Sequence, residues 1–106
     1  MTGPVVALST VATAEDAERI ARSLVENGFA ACVNVVPGVV SFYRWKGRLE
    51  RDAEMLLVIK TRGERFEELR AALLAAHPYE LPELVALPIS AGHEPYLEWL
   101  AASVRG

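Results

Sequence analysis

Along this chain the spacing of hydrophobic and polar residues changes period several times, and each change marks an element. Val5 to Thr10 is a short apolar, β-branched-rich run that predicts a buried strand. Thr13 to Asp16 then reads T-x-x-D, with Thr13 as the N-cap of a helix and Asp16 at its third position. Ala17, Ile20, Ala21 and Leu24 follow at helical spacing, with Glu15, Glu18, Arg19, Arg22 and Glu26 mostly outside. Gly28 suits a left-handed cap that ends the helix.

From Ala31 to Trp45 valines and aromatics dominate, interrupted only by Pro37-Gly38. This predicts two strand halves joined by a bulge or bend. Lys46-Gly47-Arg48 is a turn. Glu50 to Thr61 is the second long strand, with Met55, Leu57 and Ile59 on the face opposite Glu54, Leu56 and Val58. After Gly63 the period lengthens again: Phe66, Leu69, Leu73 and Ala76 share one helical face, and Pro78 stops the helix. Leu84 to Ser90 predicts a last strand, weakened by Pro88, which suggests an edge or bulge position. Pro95 fits the first turn of a final helix carrying Leu97, Leu100, Ala101 and Val104.

The order is therefore β-α-β-β-α-β with an appended C-terminal helix. That is an α+β, ferredoxin-like chain of one domain over residues 1–106, with an extended hairpin between its second and third strands. Helices cover one face of such a sheet, so the other needs its own cover. A strand over Glu50 to Thr61 spans about 40 Å at roughly 3.3 Å per residue, whereas a 100-residue domain has a radius of gyration of about 13 Å. The hairpin should project, exposing Tyr43, Trp45 and sheet edges that isolated proteins avoid. An oligomer satisfies both demands.

Composition sharpens this picture. Hydrophobic residues make up 52% of the chain, above the roughly 45–50% usual for globular domains, which again suggests surface covered by partner subunits. A net charge of −3 argues against a nucleic-acid partner. No run of 18 apolar residues marks a membrane span, and the N-terminal stretch reads as a strand, not a basic leader. The single cysteine, Cys32, excludes an intrachain disulfide and fits a reducing compartment, with the cytoplasm expected. The chain has no G-x-S-x-G, GxxxxGK[ST], H-E-x-x-H or C-x-x-C, so no enzyme is expected.

Chemistry concentrates in His77 to Glu83, HPYELPE. One imidazole, one phenol and two carboxylates accompany two prolines that force a rigid connection. Tyr79, Glu80 and Glu83 suit a metal or a cationic ligand beside His77. His77 can instead cap the second helix. Lys60, at a strand end, can meet an anion or simply be solvated. Cys32 can be a soft ligand, but a free cysteine between Ala31 and Val33 is expected to be buried. Tyr43 and Trp45, at i and i+2, share a strand face and read as an interface pair. His93 is expected as a solvated residue before the last helix.

AACVNVVPG (Ala30 to Gly38), SFYRWKG (Ser41 to Gly47), HPYELPE and YLEWL (Tyr96 to Leu100), in that order and spacing, resemble the CutA divalent-cation tolerance family over essentially the whole chain. The resemblance implies a tight homotrimer assembled through long hairpins, similar in architecture to PII signalling proteins. It also implies a link to copper and other divalent cations and no established catalytic activity. Copper-binding members carry a cysteine near the end of the first strand and two adjacent histidines before Pro-Tyr. Here those positions are Ser9, Ala76 and His77. The expectation is a trimer that binds a divalent cation, copper or zinc, weakly and through His77, or a small ligand in a cleft between subunits. Cys32, Lys60, Tyr79, Glu80 and Glu83 complete the candidate ligand set. The alternatives are a PII-like sensor of an anion or nucleotide at the same boundary and a trimeric scaffold for a partner protein.

Overall fold

The computed structural model describes all 106 residues. In chain order they form β1 (Pro4–Val11), α1 (Ala14–Glu26), β2 (Cys32–Trp45), β3 (Arg48–Arg62), α2 (Phe66–Ala76), β4 (Val85–Pro88) and α3 (Glu94–Ser103). A single 3-10 turn over Gly63–Arg65 leads into α2. The four strands make one antiparallel sheet in the order β2-β3-β1-β4, the ferredoxin-like arrangement.

Local chemistry accounts for most boundaries. Thr13 Oγ1 accepts the backbone N–H of Asp16 at 3.1 Å, so α1 starts where its capping residue stands. The helix ends at Glu26, with Asn27 as cap and Gly28 at φ +76°. Lys46 and Gly47 both have positive φ and close the hairpin in two residues. Because that turn is so tight, β3 already begins at Arg48 and runs to Arg62, longer at both ends than expected. β4 is shorter than expected, four residues over Val85–Pro88 against a predicted run from Leu84 to Ser90. Beyond the Val5–Pro88 pair one bond remains, from the Ile89 N–H to the Pro4 carbonyl at 3.0 Å, and Pro4 has no N–H to return it.

One face of the sheet carries the core. Val5, Ala7 and Val11 of β1 and Leu57 and Ile59 of β3 alternate inward against Ala17, Ile20 and Leu24 of α1 and Leu69 and Leu73 of α2, all buried. α3 closes one end of the sheet, with Leu100 and Val104 buried beside Ala31 and Ile89. The Arg62 guanidinium donates to the carbonyls of Val104 and Arg105 and fastens that end. Elsewhere the opposite face is apolar and uncovered. Leu8 and Leu56 are half-buried, while Val36, Val85 and Leu87 are exposed.

The hairpin projects as expected. The molecule measures 44 × 25 × 23 Å, with a radius of gyration of 14.1 Å. Phe42 and Leu49, on this arm, are 64% and 73% exposed.

The Pro37-Gly38 interruption is a β-bulge. Val36 pairs with Leu56 and Val39 with Glu54, so β2 spends one residue more than β3 over the same stretch. Gly38 takes φ +79° there. The extra residue inverts the alternation of β2. Cys32, Asn34 and Val36 share the open face before it, and Val39, Ser41, Tyr43 and Trp45 share that same face after it. This corrects one expectation. Cys32 is half-buried, not buried, because register pairs it with Lys60 on the uncovered side.

Candidate functional site

The HPYELPE segment leaves the end of α2 and crosses to the open face near the start of the hairpin arm. Two groups anchor it. The backbone N–H of His77 bonds the Leu73 carbonyl as the helix cap. The His77 ring, only 8% exposed, places Nε2 at 2.8 Å from the Thr10 carbonyl oxygen. A carbonyl can only accept, so Nε2 carries the proton. Nδ1 in turn accepts the backbone N–H of Tyr79 at 3.2 Å. The expected metal ligand therefore has both ring nitrogens engaged, tying β1 to the loop. Its ring also meets Tyr79 edge-on, with centroids 4.7 Å apart.

Tyr79 turns inward. Its hydroxyl donates to Glu54 Oε2 at 2.6 Å, a short charge-assisted hydrogen bond. Burial, the hydrogen bond to Glu54 and the Glu54 charge all hold the Tyr79 phenol protonated well above its ordinary range. Glu54 is only 7% exposed, and none of the chain's ion pairs involves it. On the hairpin arm the Tyr43 hydroxyl donates to Asp52 Oδ2. That bond, followed by burial and by the charges of Asp52, Glu50 and Glu54, pushes the Tyr43 phenol up to about 12.

Between loop and arm lies a cleft of about 660 Å³. Tyr43 and Trp45 form one wall and Tyr79, Glu80, Leu81 and Glu83 the other, with Thr10, Ser41 and Glu54 between them. The bulge is what makes this possible: without its extra residue, register would turn Tyr43 and Trp45 to the other side of the sheet. The lining holds three glutamates, Glu54, Glu80 and Glu83, and one arginine, Arg44, whose side chain is turned by strand alternation to the face opposite Tyr43 and Trp45.

Five of the expected residues thus meet here: Tyr43, Trp45, Tyr79, Glu80 and Glu83. His77 stands behind the loop and holds it. Cys32 and Lys60 lie elsewhere, as a cross-strand pair sharing Asn34. Lys60 Nζ donates to Asn34 Oδ1, and Cys32 Sγ lies 3.9 Å from the same oxygen. His93 is exposed before α3 and makes no side-chain cap. Glu54 is the residue that sequence reasoning passed over. Its signal was a carboxylate next to Leu56 and Val58 on the strand face that also carries Glu50 and Asp52.

A copper centre of the kind the resemblance implies does not fit a single chain. Ser9, in place of the cysteine, is fully buried on the helix-covered face, with an Oγ that finds no partner. No three histidine, cysteine, aspartate or glutamate side chains converge as metal donors.

Comparison with known proteins gives a consistent picture. A family model described as CutA1 divalent ion tolerance protein matches residues 5–103. The divalent-cation tolerance protein CutA of Thermus thermophilus is 50% identical over 95 residues, covering 90% of this chain and 92% of that protein. The chloroplastic protein CutA of Arabidopsis thaliana is 46% identical over 101 residues, 95% of this chain but 56% of that longer protein. Among solved structures, the divalent cation tolerance protein Cut A1 of Thermus thermophilus superposes with a TM-score of 0.94 at 47% identity. The match covers 96% of this chain and 99% of that one.

Proposed function

Because this chain belongs to the CutA1 divalent ion tolerance family, we propose that it is a non-enzymatic homotrimer that binds a cationic ligand in the cleft under the HPYELPE loop. The observation that carries this reading is Glu54, a carboxylate only 7% exposed in the cleft that makes no ion pair within its own chain. The Tyr79 hydroxyl bonds one of its oxygens, but a buried charge with no opposite charge beside it is costly, and a bound cation offsets that cost. The ligand is a metal ion or a small positively charged molecule. The oxygen donors Glu54, Glu80 and Glu83 are hard, which favours zinc or magnesium over Cu(I).

Assembly into a trimer follows the family resemblance. It is supported here by the uncovered apolar face and the projecting arm. Tyr43 and Trp45 then lie where arm meets neighbour, and the cleft becomes a boundary between subunits. Within it His77 is a positioning residue that holds the loop through Thr10 and Tyr79. The PII-like alternative, an anion or nucleotide at this boundary, is disfavoured by the three glutamates of the lining, Glu54, Glu80 and Glu83. No helix is long and apolar enough to cross a membrane. We place the protein in the cytoplasm on its one free cysteine, although the Arabidopsis relative is named as chloroplastic.

Titration calorimetry with Zn²⁺, Cu²⁺ and ATP tests the cleft. Cation heat that falls in a Glu80→Gln/Glu83→Gln variant is the expected result. Heat from ATP alone, unchanged in that variant, would support the sensor instead.

A further inference from the structure

The cleft is built for more than a bare ion. Its volume of about 660 Å³ lies in the range of small-organic-molecule sites. A metal ion needs several donors drawn to one point, and no such convergence exists in this chain. The carboxylates are instead spread by depth. Glu54 is 7% exposed, while Glu80 and Glu83 stand exposed in the loop. Between these levels the walls are aromatic, from Tyr43, Trp45 and Tyr79.

Glu54 supplies the independent observation. Tyr79 donates to Oε2, and Oε1 makes no hydrogen bond with any group of the chain. The one cation of the lining, Arg44, makes no ion pair with it. That Glu54 oxygen, Oε1, is not shut from solvent although the residue is nine-tenths buried, so a positively charged donor entering the aromatic cleft can reach it.

Resting on the reading of this cleft as the ligand site, we propose that it binds an organic dication of the short alkyl-diamine class. One ammonium meets Glu54 Oε1 at depth, where its charge is also attracted by the aromatic faces. The methylene chain lies along Tyr43 and Trp45. The second ammonium meets Glu80 or Glu83, where solvent shares in its hydration. A spread of carboxylates that fails to chelate one metal ion matches two separated charges.

The test is calorimetry on the full-length protein with 1,4-diaminobutane, n-butylamine, Zn²⁺ alone, Mg²⁺ alone, and succinate as the anionic counterpart. One diamine should bind per subunit, the monoamine should bind more weakly, and succinate should give no heat. Glu54→Gln retains an acceptor for the Tyr79 hydroxyl, so thermal melting and oligomer mass should hold while diamine affinity drops about tenfold or more. Should that variant fold poorly, Glu80→Gln/Glu83→Gln serves in its place: it should narrow the gap between diamine and monoamine. Zn²⁺ or Mg²⁺ heat with none from the diamine overturns the inference and leaves the cleft a cation site. Silence from every cation overturns both readings. Dissociation of the oligomer in Glu54→Gln, with no diamine heat in the wild type, would show that a neighbouring subunit's cation fills the place instead.

Discussion

Glu54 and Tyr79 form the pair on which the cleft depends. The phenol satisfies one carboxylate oxygen that water reaches poorly. Tyr79→Phe removes the donor and leaves Glu54 buried with less compensation, and should cost about 1.5–3 kcal/mol of stability. The same bond has a signature in alkali. Tyrosine in the unfolded chain releases its proton near pH ~10, whereas Tyr79 in the folded protein keeps its proton to higher pH. A raised pKa contributes stability below the unfolded value and loses it as pH climbs toward the folded one. The urea midpoint should therefore fall as pH rises from about 9 to about 11. It should fall less in Tyr79→Phe, where the residual drop reports Tyr43. Equal drops in both proteins would remove Tyr79 from the account.

At the scale of elements, the bulge in β2 decides what the hairpin arm presents. Gly38 at φ +79° has open space around the position a Cβ would take, so Gly38→Ala should strain only the backbone. It should cost about 1–2 kcal/mol, read as a urea midpoint shift. No shift would mean that the left-handed conformation is not needed there. Much at this scale was legible in the sequence. The Thr13 cap, the Pro37-Gly38 interruption, the alternation of Met55 to Ile59 and the stop at Pro78 are short-range signals, and each appears where expected. The extent of β4 was less legible, because a few apolar residues around a proline do not say where pairing partners end. The cleft was legible only in part. HPYELPE announced itself by composition, and Tyr43 and Trp45 by their spacing. Glu54 depends on a contact with Tyr79, 25 residues away, and Cys32 on a register that places it opposite Lys60. No local pattern carries such pairings.

For the whole molecule, one apolar sheet face and a 44 Å long axis point to an assembly that the single chain does not complete. Trp45 stands on the arm where a neighbouring subunit would meet it. Trp45→Ala should weaken assembly by about 2 kcal/mol or more, as interface aromatic anchors do, and native mass spectrometry would show smaller species. If the aromatic ring serves only a ligand, the oligomer persists and ligand affinity alone declines. Everything proposed for the cleft places it at a boundary between subunits, so the decisive measurement is the mass of the native protein. Sedimentation equilibrium of the wild-type chain at micromolar concentration should return a single species near three subunits, with no monomer on dilution. A stable, well-folded monomer in native buffer would contradict the account.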